Sequence, residues 1–226
     1  MTKQYYKAYD DRYRQVHSAS LCWFAETPSP IVYDTIRKFG ILPTEKLLEI
    51  GCGEGRDAHF LLNRGYDLLA TDISPAAVEF CRREAPEYTD SFQVMDCLDT
   101  DCSDRFDFIY AIAVVHMLVP DADRSKFYRF IREHLTKSGI ALICSMGDGS
   151  IQRQSDISKA FDLQDRIHEP TGQHLKIAST SYRAVSFEEF EAELKSVNLN
   201  ILEQGITVVE PDYGTMMYAV VKKADL

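Results

Sequence analysis

The chain has 226 residues, 45% of them hydrophobic, with a formal net charge of -10 and an isoelectric point near 5.1. That length buries one sizeable core rather than two, and the acidity argues against a nucleic-acid partner, whose backbone is gripped by clustered Lys and Arg. The opening MTKQYYKAYDDRYRQ carries no apolar signal region and no apolar run approaches membrane-spanning length, so a soluble, cytoplasmic protein without a membrane partner is expected.

Tyr5, Tyr9 and Tyr13 recur every fourth position and predict an N-terminal helix with one aromatic face, followed by Trp23 in ASLCWFAE. Ser29-Pro30, IVYDTIRKF and Gly40 predict a helix with Pro in its first turn and Gly past its end. KLLEI at 46–50 reads as the first strand and RDAHFLLNR, before Gly65, as a helix. DLLAT reads as the second strand, and Ser74-Pro75 opens a helix that Pro86 closes. Strands continue through SFQVM, FDFIYAIAVV and GIALICS, with a helix near 123–136 before the last. This alternation predicts an α/β fold: a Rossmann-like, mostly parallel sheet with helices on both faces.

Between the fifth strand and Ser186 lies a long insertion, GDGSIQRQSDISKAFDLQDRIHEPTGQHLKIASTSYRAV. Ile157, Phe161 and Ile167 predict a short amphipathic helix there, and Pro170-Thr171-Gly172 a turn before HLKIAST. Ser186 and Glu189 form a capping box on FEEFEAELKSV. NILEQGITVV and TMMYAVVKK, with Asp212-Tyr213-Gly214 between them, predict a terminal antiparallel hairpin at the sheet edge.

The six cysteines are scattered without a CxxC pair, which points to reduced thiols and to no metal site. Chemistry concentrates instead after the first strand, where EIGCGEG sets Gly51, Gly53 and Gly55 at alternate positions. Such a turn needs positive φ and admits close approach of a ligand. A dinucleotide fingerprint would place glycine where Arg56 stands, and a P-loop would need G-K-[ST]. Asp72 ends the second strand 72 − 51 = 21 residues after Gly51, the spacing that sets a carboxylate beside a ribose. Asp96-Cys97 follows the third strand. Asp99, Asp101 and Asp104 lie nearby, so simple solvation is a rival reading, but only Asp96 sits at the strand's end.

EIGCGEG, TDIS, MDC and FDFIYAIAVVHML, in that order, resemble the motifs of class I S-adenosylmethionine-dependent methyltransferases, loosely their small-molecule thiopurine and tellurite branch. LTKSGIALICS is similar to the family's L-K-P-G-G turn without its proline. The resemblance implies S-adenosylmethionine as cofactor, contacted by Glu49, Gly51, Cys52, Gly53, Gly55, Asp72, Ile73, Asp96, Cys97 and Ala111, with Trp23 closing over it. It implies one domain: an N-terminal flap (1–28), a cofactor-binding core (40–146), a substrate lid inserted after the fifth strand (147–185) and a terminal helix and hairpin (186–226). The implied reaction is direct displacement of the methyl group onto a small-molecule acceptor, with His168, His174, Tyr182 and Arg183 as acceptor contacts or, failing that, ordinary solvated lid residues.

Several residues carry two readings. Asp72 is a ribose ligand or a companion to the helix at Ser74, and Glu49 accepts from the methionine ammonium or braces the glycine turn. His116, after the fourth strand, is a catalytic base or a packing residue that shapes the pocket. A nicotinamide oxidoreductase, a non-catalytic sensor of S-adenosylmethionine or S-adenosylhomocysteine, and a protein methyltransferase are the rival functions; Arg56 and Asp96-Cys97 count against the first. The sequence carries no signal for the acceptor atom or the oligomeric state.

Overall fold

The computed structural model describes residues 4–23, 27–100, 103–168, 171–210 and 213–224. A 3-10 turn (Tyr5–Lys7) runs into α1 (Ala8–Ser18), and α2 (Pro30–Phe39) ends at Gly40 in the left-handed region. Then come β1 (Lys46–Ile50), α3 (Arg56–Leu62), β2 (Asp67–Asp72), α4 (Pro75–Glu84), β3 (Phe92–Val94), β4 (Phe106–Ile112), α5 (Asp121–His134) and β5 (Leu135–Met146). The insertion holds β6 (Arg153–Gln154), β7 (Leu163–His168), β8 (Gln173–Ala178) and β9 (Arg183–Ala184), and the chain closes with α6 (Phe187–Ser196), β10 (Leu199–Val209) and β11 (Tyr213–Lys223).

Seven strands form one sheet in the order β10-β11-β5-β4-β1-β2-β3. The strands from β5 to β3 pair in parallel, and β11 joins β5 and β10 antiparallel, so the expected edge hairpin is present. Phe108, Ile109, Tyr110 and Ala111 of the central β4 are all fully buried, as a parallel strand covered on both faces requires. Their alternation divides the core: Ile109 and Ala111 pack with Phe127, Ile131, Phe190 and Leu194 from α5 and α6. Phe108 and Tyr110 pack with Val32, Ile36, Leu61 and Val78 from α2, α3 and α4.

Local signals act as their chemistry dictates, with instructive exceptions. The Ser74 hydroxyl caps α4 by accepting from Ala77 N–H, and Ser186 Oγ accepts from Glu189 N–H. The Glu189 carboxylate does not return to complete the box, because Arg183 takes it. Ser29 does not cap α2; its hydroxyl turns to Asp57 Oδ2 at 2.7 Å. β4 stops at Ile112, short of the expected Val115, because Ala113 adopts φ 60°, which ends a strand.

The amphipathic helix expected around Ile157, Phe161 and Ile167 is not formed. A 3-10 turn (Ile157–Lys159) is followed by the β7–β8 hairpin, with Ile167 largely exposed. Of that hairpin's buried residues, Leu175 and Ile177, two apart on β8, pack with Val16 of α1. That is strand periodicity, and it outweighs the looser helical spacing upstream. Pro170 and Asp212 lie outside the described residues, while Tyr213 and Gly214 belong to β11 rather than to a turn.

Candidate active site

The site is assembled where β1, β2, β3 and β4 end. Gly51, Gly53 and Gly55 all have positive φ (76°, 53° and 85°). Space demands glycine as well: a Cβ on Gly51 would overlap the Val114 side chain, one on Gly53 would lie 2.6 Å from the Tyr13 hydroxyl, and one on Gly55 2.9 Å from Cys81 Sγ. The turn is tied to β2 by the N–H groups of Gly51 and Cys52, which donate to Thr71 O at 2.7 and 2.9 Å.

Asp72 joins the turn to the next helix. Its Oδ2 accepts from Gly53 N–H and its Oδ1 from Ser74 N–H, both at 2.8 Å. Burial pushes its carboxyl up to about 6, against the hold of those N–H groups. Asp72 is thus also a companion to the N-terminus of α4, and Asp10 of α1 is a second, its Oδ1 accepting from Ser74 Oγ at 2.7 Å and Ala76 N–H at 3.2 Å. Asp96, just past β3, accepts from Leu98 N–H and, at 3.3 Å, from the Tyr6 hydroxyl, with Lys7 Nζ 3.6 Å away. Cys97 is partly buried beside it, its thiol pushed up to about 12 by burial and then by the Asp96 charge. Ile73 packs against the face of the core formed by α5 and α6.

Glu49 is buried with one side-chain donor, the Tyr110 hydroxyl at 3.0 Å, so its brace is the neighbouring strand rather than the glycine turn. Burial, then the Asp57 charge, holds its carboxyl well above the usual range. Ala111 is sealed in the core opposite Ile143, two positions short of the bend at Ala113; its side chain therefore cannot line the site, and Val114 meets the glycine turn instead.

His116 is 1% exposed. Its Nδ1 accepts from Met146 N–H at 3.4 Å, which leaves the proton on Nε2, facing the Tyr213 hydroxyl at 3.4 Å. Burial, reinforced by the Arg124 charge, pushes its pKa down to about 3. A base that weak does not take a proton efficiently near neutrality. The geometry therefore favours the packing reading of His116 over the catalytic one.

The structure does not bring the four acceptor candidates together. His168 is buried, with Nδ1 2.8 Å from Thr171 Oγ1 and Nε2 2.8 Å from Cys22 O, and so fastens the hairpin to the segment after α1. His174 is exposed on β8. Tyr182 lies under the Arg153 guanidinium, and Arg183 is consumed by Asp121, Glu189 and the Val119 carbonyl. Trp23 stands one layer back from the glycine turn, edge-on to Tyr13 at 6.2 Å and beneath Arg12.

Tyr13 is the residue that meets the turn directly, and three others accompany it. Tyr6, Asp10, Tyr13 and His17 are spaced four, three and four apart, a single helical stripe, and they face Asp96, the start of α4, Gly53 and Glu54 respectively. The adjoining stripe faces the insertion: the Tyr9 hydroxyl donates to Ser181 O, Arg12 to Thr180 Oγ1, and Gln15 Oε1 accepts from Ala178 N–H at 2.6 Å. Among the described residues no group of three or more His, Cys, Asp or Glu could hold a metal ion, and no helix is long and apolar enough to cross a membrane.

A family model described as a methyltransferase domain matches residues 47–139, the stretch that carries the glycine turn, Asp72, Asp96 and β4. A curated relative, Hemagglutinin 1 of Eikenella corrodens, is 32% identical over 108 residues, covering 46% of this chain; the match spans only 35% of that protein's length. Solved structures resemble nearly the whole chain. A Burkholderia thailandensis 1,6-didemethyltoxoflavin-N1-methyltransferase superposes with a TM-score of 0.71 at 18% identity, covering 98% of this chain and 89% of that one. An S-adenosylmethionine-dependent methyltransferase from Clostridium acetobutylicum gives 0.66 at 15% identity, covering 98% and 100%. At these identities the likeness concerns the fold alone. The matched stretch carries β1 to β4, while α1 and the β7–β8 hairpin lie outside it.

Proposed function

We propose that the protein transfers a methyl group from S-adenosylmethionine to a small-molecule acceptor. The observation that carries this reading is the alignment of Asp72 and Asp96 at the ends of two adjacent parallel strands, with Asp72 bonded to the backbone of the glycine turn. Ligands of open α/β sheets bind at this edge. Two ribose hydroxyls suit the buried Asp72 carboxylate, whose bonds to them are charge-assisted. An adenine amino group suits Asp96. Gly51 and Gly53 let Val114 and the Tyr13 hydroxyl close down on the turn, and Glu49 lies near the end of β1, where an ammonium would be received. Similar folds have been solved with S-adenosylhomocysteine, S-adenosylmethionine and sinefungin, in a toxoflavin-pathway enzyme and a glycopeptide N-methyltransferase.

S-adenosylmethionine supplies an electrophilic methyl carbon on a sulfonium, so the protein's own task is alignment and exclusion of water. The stripe of Tyr6, Asp10, Tyr13 and His17 covers the strand ends and serves the second purpose. With His116 too weak a base, an acceptor that is already a free lone pair fits best. A cleft of about 520 Å³, lined by Tyr5, Tyr6, Leu98, Asp123, Lys126 and Ile157 and adjoining Asp96 through Tyr6, has small-molecule dimensions. The insertion acts as the acceptor lid, held on α1. Calorimetry with S-adenosylhomocysteine and with NAD, followed by a labelled methyl donor across a panel of small acceptors, tests the reading. Binding of S-adenosylhomocysteine and label in one small product is expected; preference for NAD, or labelled protein alone, overturns it.

A further inference from the structure

The resemblance sets Cys52 against the cofactor. The thiols of Cys52 and Cys81 take part in no step of methyl transfer, yet they meet at the centre of the proposed site. Cys52 lies between two glycines of the turn and Cys81 on α4, and both are buried. Their thiols converge on one oxygen: Cys81 Sγ donates to the Gly53 carbonyl at 3.3 Å and Cys52 Sγ at 3.7 Å. Cys81 Sγ also sits 2.9 Å from the place a Gly55 Cβ would occupy, so the helix sulfur supports the turn from beneath. Of the other described cysteines, Cys144 is sealed within β5 opposite Tyr218, and Cys22 and Cys97 lie on separate segments.

We propose that Cys52 and Cys81 are a redox-modification site, a thiol pair that closes to a disulfide and thereby disables the glycine turn. The step is exchange with a low-molecular-weight disulfide. One thiolate attacks it to give a mixed disulfide and one released thiol; the second cysteine then displaces the other thiol. Two protein S–H bonds are lost, one S–S bond is gained, and the oxidant leaves as two thiols carrying both hydrogens.

The consequence for the turn is specific. An S–S bond of about 2.05 Å is far shorter than a contact between two thiols, so Cys52 must be drawn toward α4. Both donors to the Gly53 carbonyl vanish, while Gly53 N–H is the group that holds Asp72. Cys52 N–H and O are themselves bonded to Thr71 and Gly55, so the displacement passes to both neighbours. Cys52 thiolate is scarce, because the adjoining thiol and then burial hold it well above its usual value, and both sulfurs are buried; exchange is therefore slow and waits on opening of the turn. A ligand seated on the turn opposes that opening, and by linkage the disulfide opposes the ligand.

The part concerning ligand affinity rests on the proposed cofactor site; the cross-link itself does not. The reduced full chain is treated with glutathione disulfide at pH 8, alkylated, digested with trypsin and mapped without reduction. We expect a disulfide joining peptides 47–56 and 65–82, slower formation in the presence of S-adenosylhomocysteine, and at least tenfold weaker S-adenosylhomocysteine binding that dithiothreitol restores. Cys81→Ser, whatever its own affinity, should bind S-adenosylhomocysteine equally before and after treatment with glutathione disulfide. Glutathione confined to Cys22 or Cys97, with Cys52 and Cys81 still free, overturns the proposal, as does the 52–81 link without loss of affinity. If the reduced protein fails to bind S-adenosylhomocysteine, the cofactor reading falls, and the mapped link alone decides the thiol pairing.

Discussion

The carboxyl end of the parallel sheet and the insertion between β5 and α6 use polar side chains in opposite ways. At the sheet end, Asp72 and Asp96 are held by backbone N–H groups, which fix their carboxyl groups at the ends of β2 and β3. In the insertion, His168 and Arg183 spend their donors on internal carbonyls and carboxylates. Under the proposed function the first arrangement prepares groups for a ligand; the second fastens the insertion to its support. That support is α1, whose one stripe touches the sheet end and whose next stripe carries the hairpin, so the two regions are mechanically joined.

The difference can be broken most forcefully at Gly51. Gly51→Ala puts a side chain into the left-handed region and into Val114, and a loss of about 2–4 kcal/mol in urea unfolding is expected, with S-adenosylhomocysteine binding abolished. A stability equal to wild type would show that the turn is not sterically specified. Next comes the hairpin. Val16 is fully buried against Leu175 and Ile177, and Val16→Ala should lower hydrogen-exchange protection of β7 and β8 by about 1–2 kcal/mol while that of β1 and β4 stays unchanged. Equal loss in both regions would mean they unfold as one.

The smallest effect is expected at His116. His116→Gln should change turnover by less than about threefold and keep the shape of its pH profile. Its folded pKa lies below the unfolded value, so its contribution to stability is full above pH 6.5 and is lost as pH falls toward 3, at up to about 1.4 kcal/mol per unit. The Gln variant should therefore be less acid-sensitive than wild type; a rate loss of about a hundredfold would instead restore His116 as a base.

How much of this was legible in the sequence follows the same division. Strand ends could be read because apolar runs, Gly51 to Gly55 and the 21-residue step to Asp72 are local or evenly spaced signals. The hairpin was not, since Leu175 and Ile177 form a pattern of only two residues and its partner, Val16, is far away in sequence. The Tyr5, Tyr9, Tyr13 spacing revealed the helix but chose the wrong stripe: Tyr6, Asp10, Tyr13 and His17 become a set only when the docking direction of α1 is known. Ala111 failed as a site residue for a similar reason, because the left-handed bend at Ala113 that ends β4 leaves no mark in an alanine.

The central claim is that the Asp72 carboxylate, on the glycine turn, is the ribose ligand. Its pKa of about 6 in the free protein makes this measurable, since below that pH the group must give up a proton before it can accept from ribose hydroxyls. S-adenosylhomocysteine affinity should be followed by calorimetry from pH 5 to 7.5 in the wild type and in Asp72→Asn. The account predicts a wild-type dissociation constant that is level above pH 7 and rises toward about tenfold per unit below pH 6, against a weaker and nearly flat profile for the variant. Parallel profiles in the two proteins would contradict it.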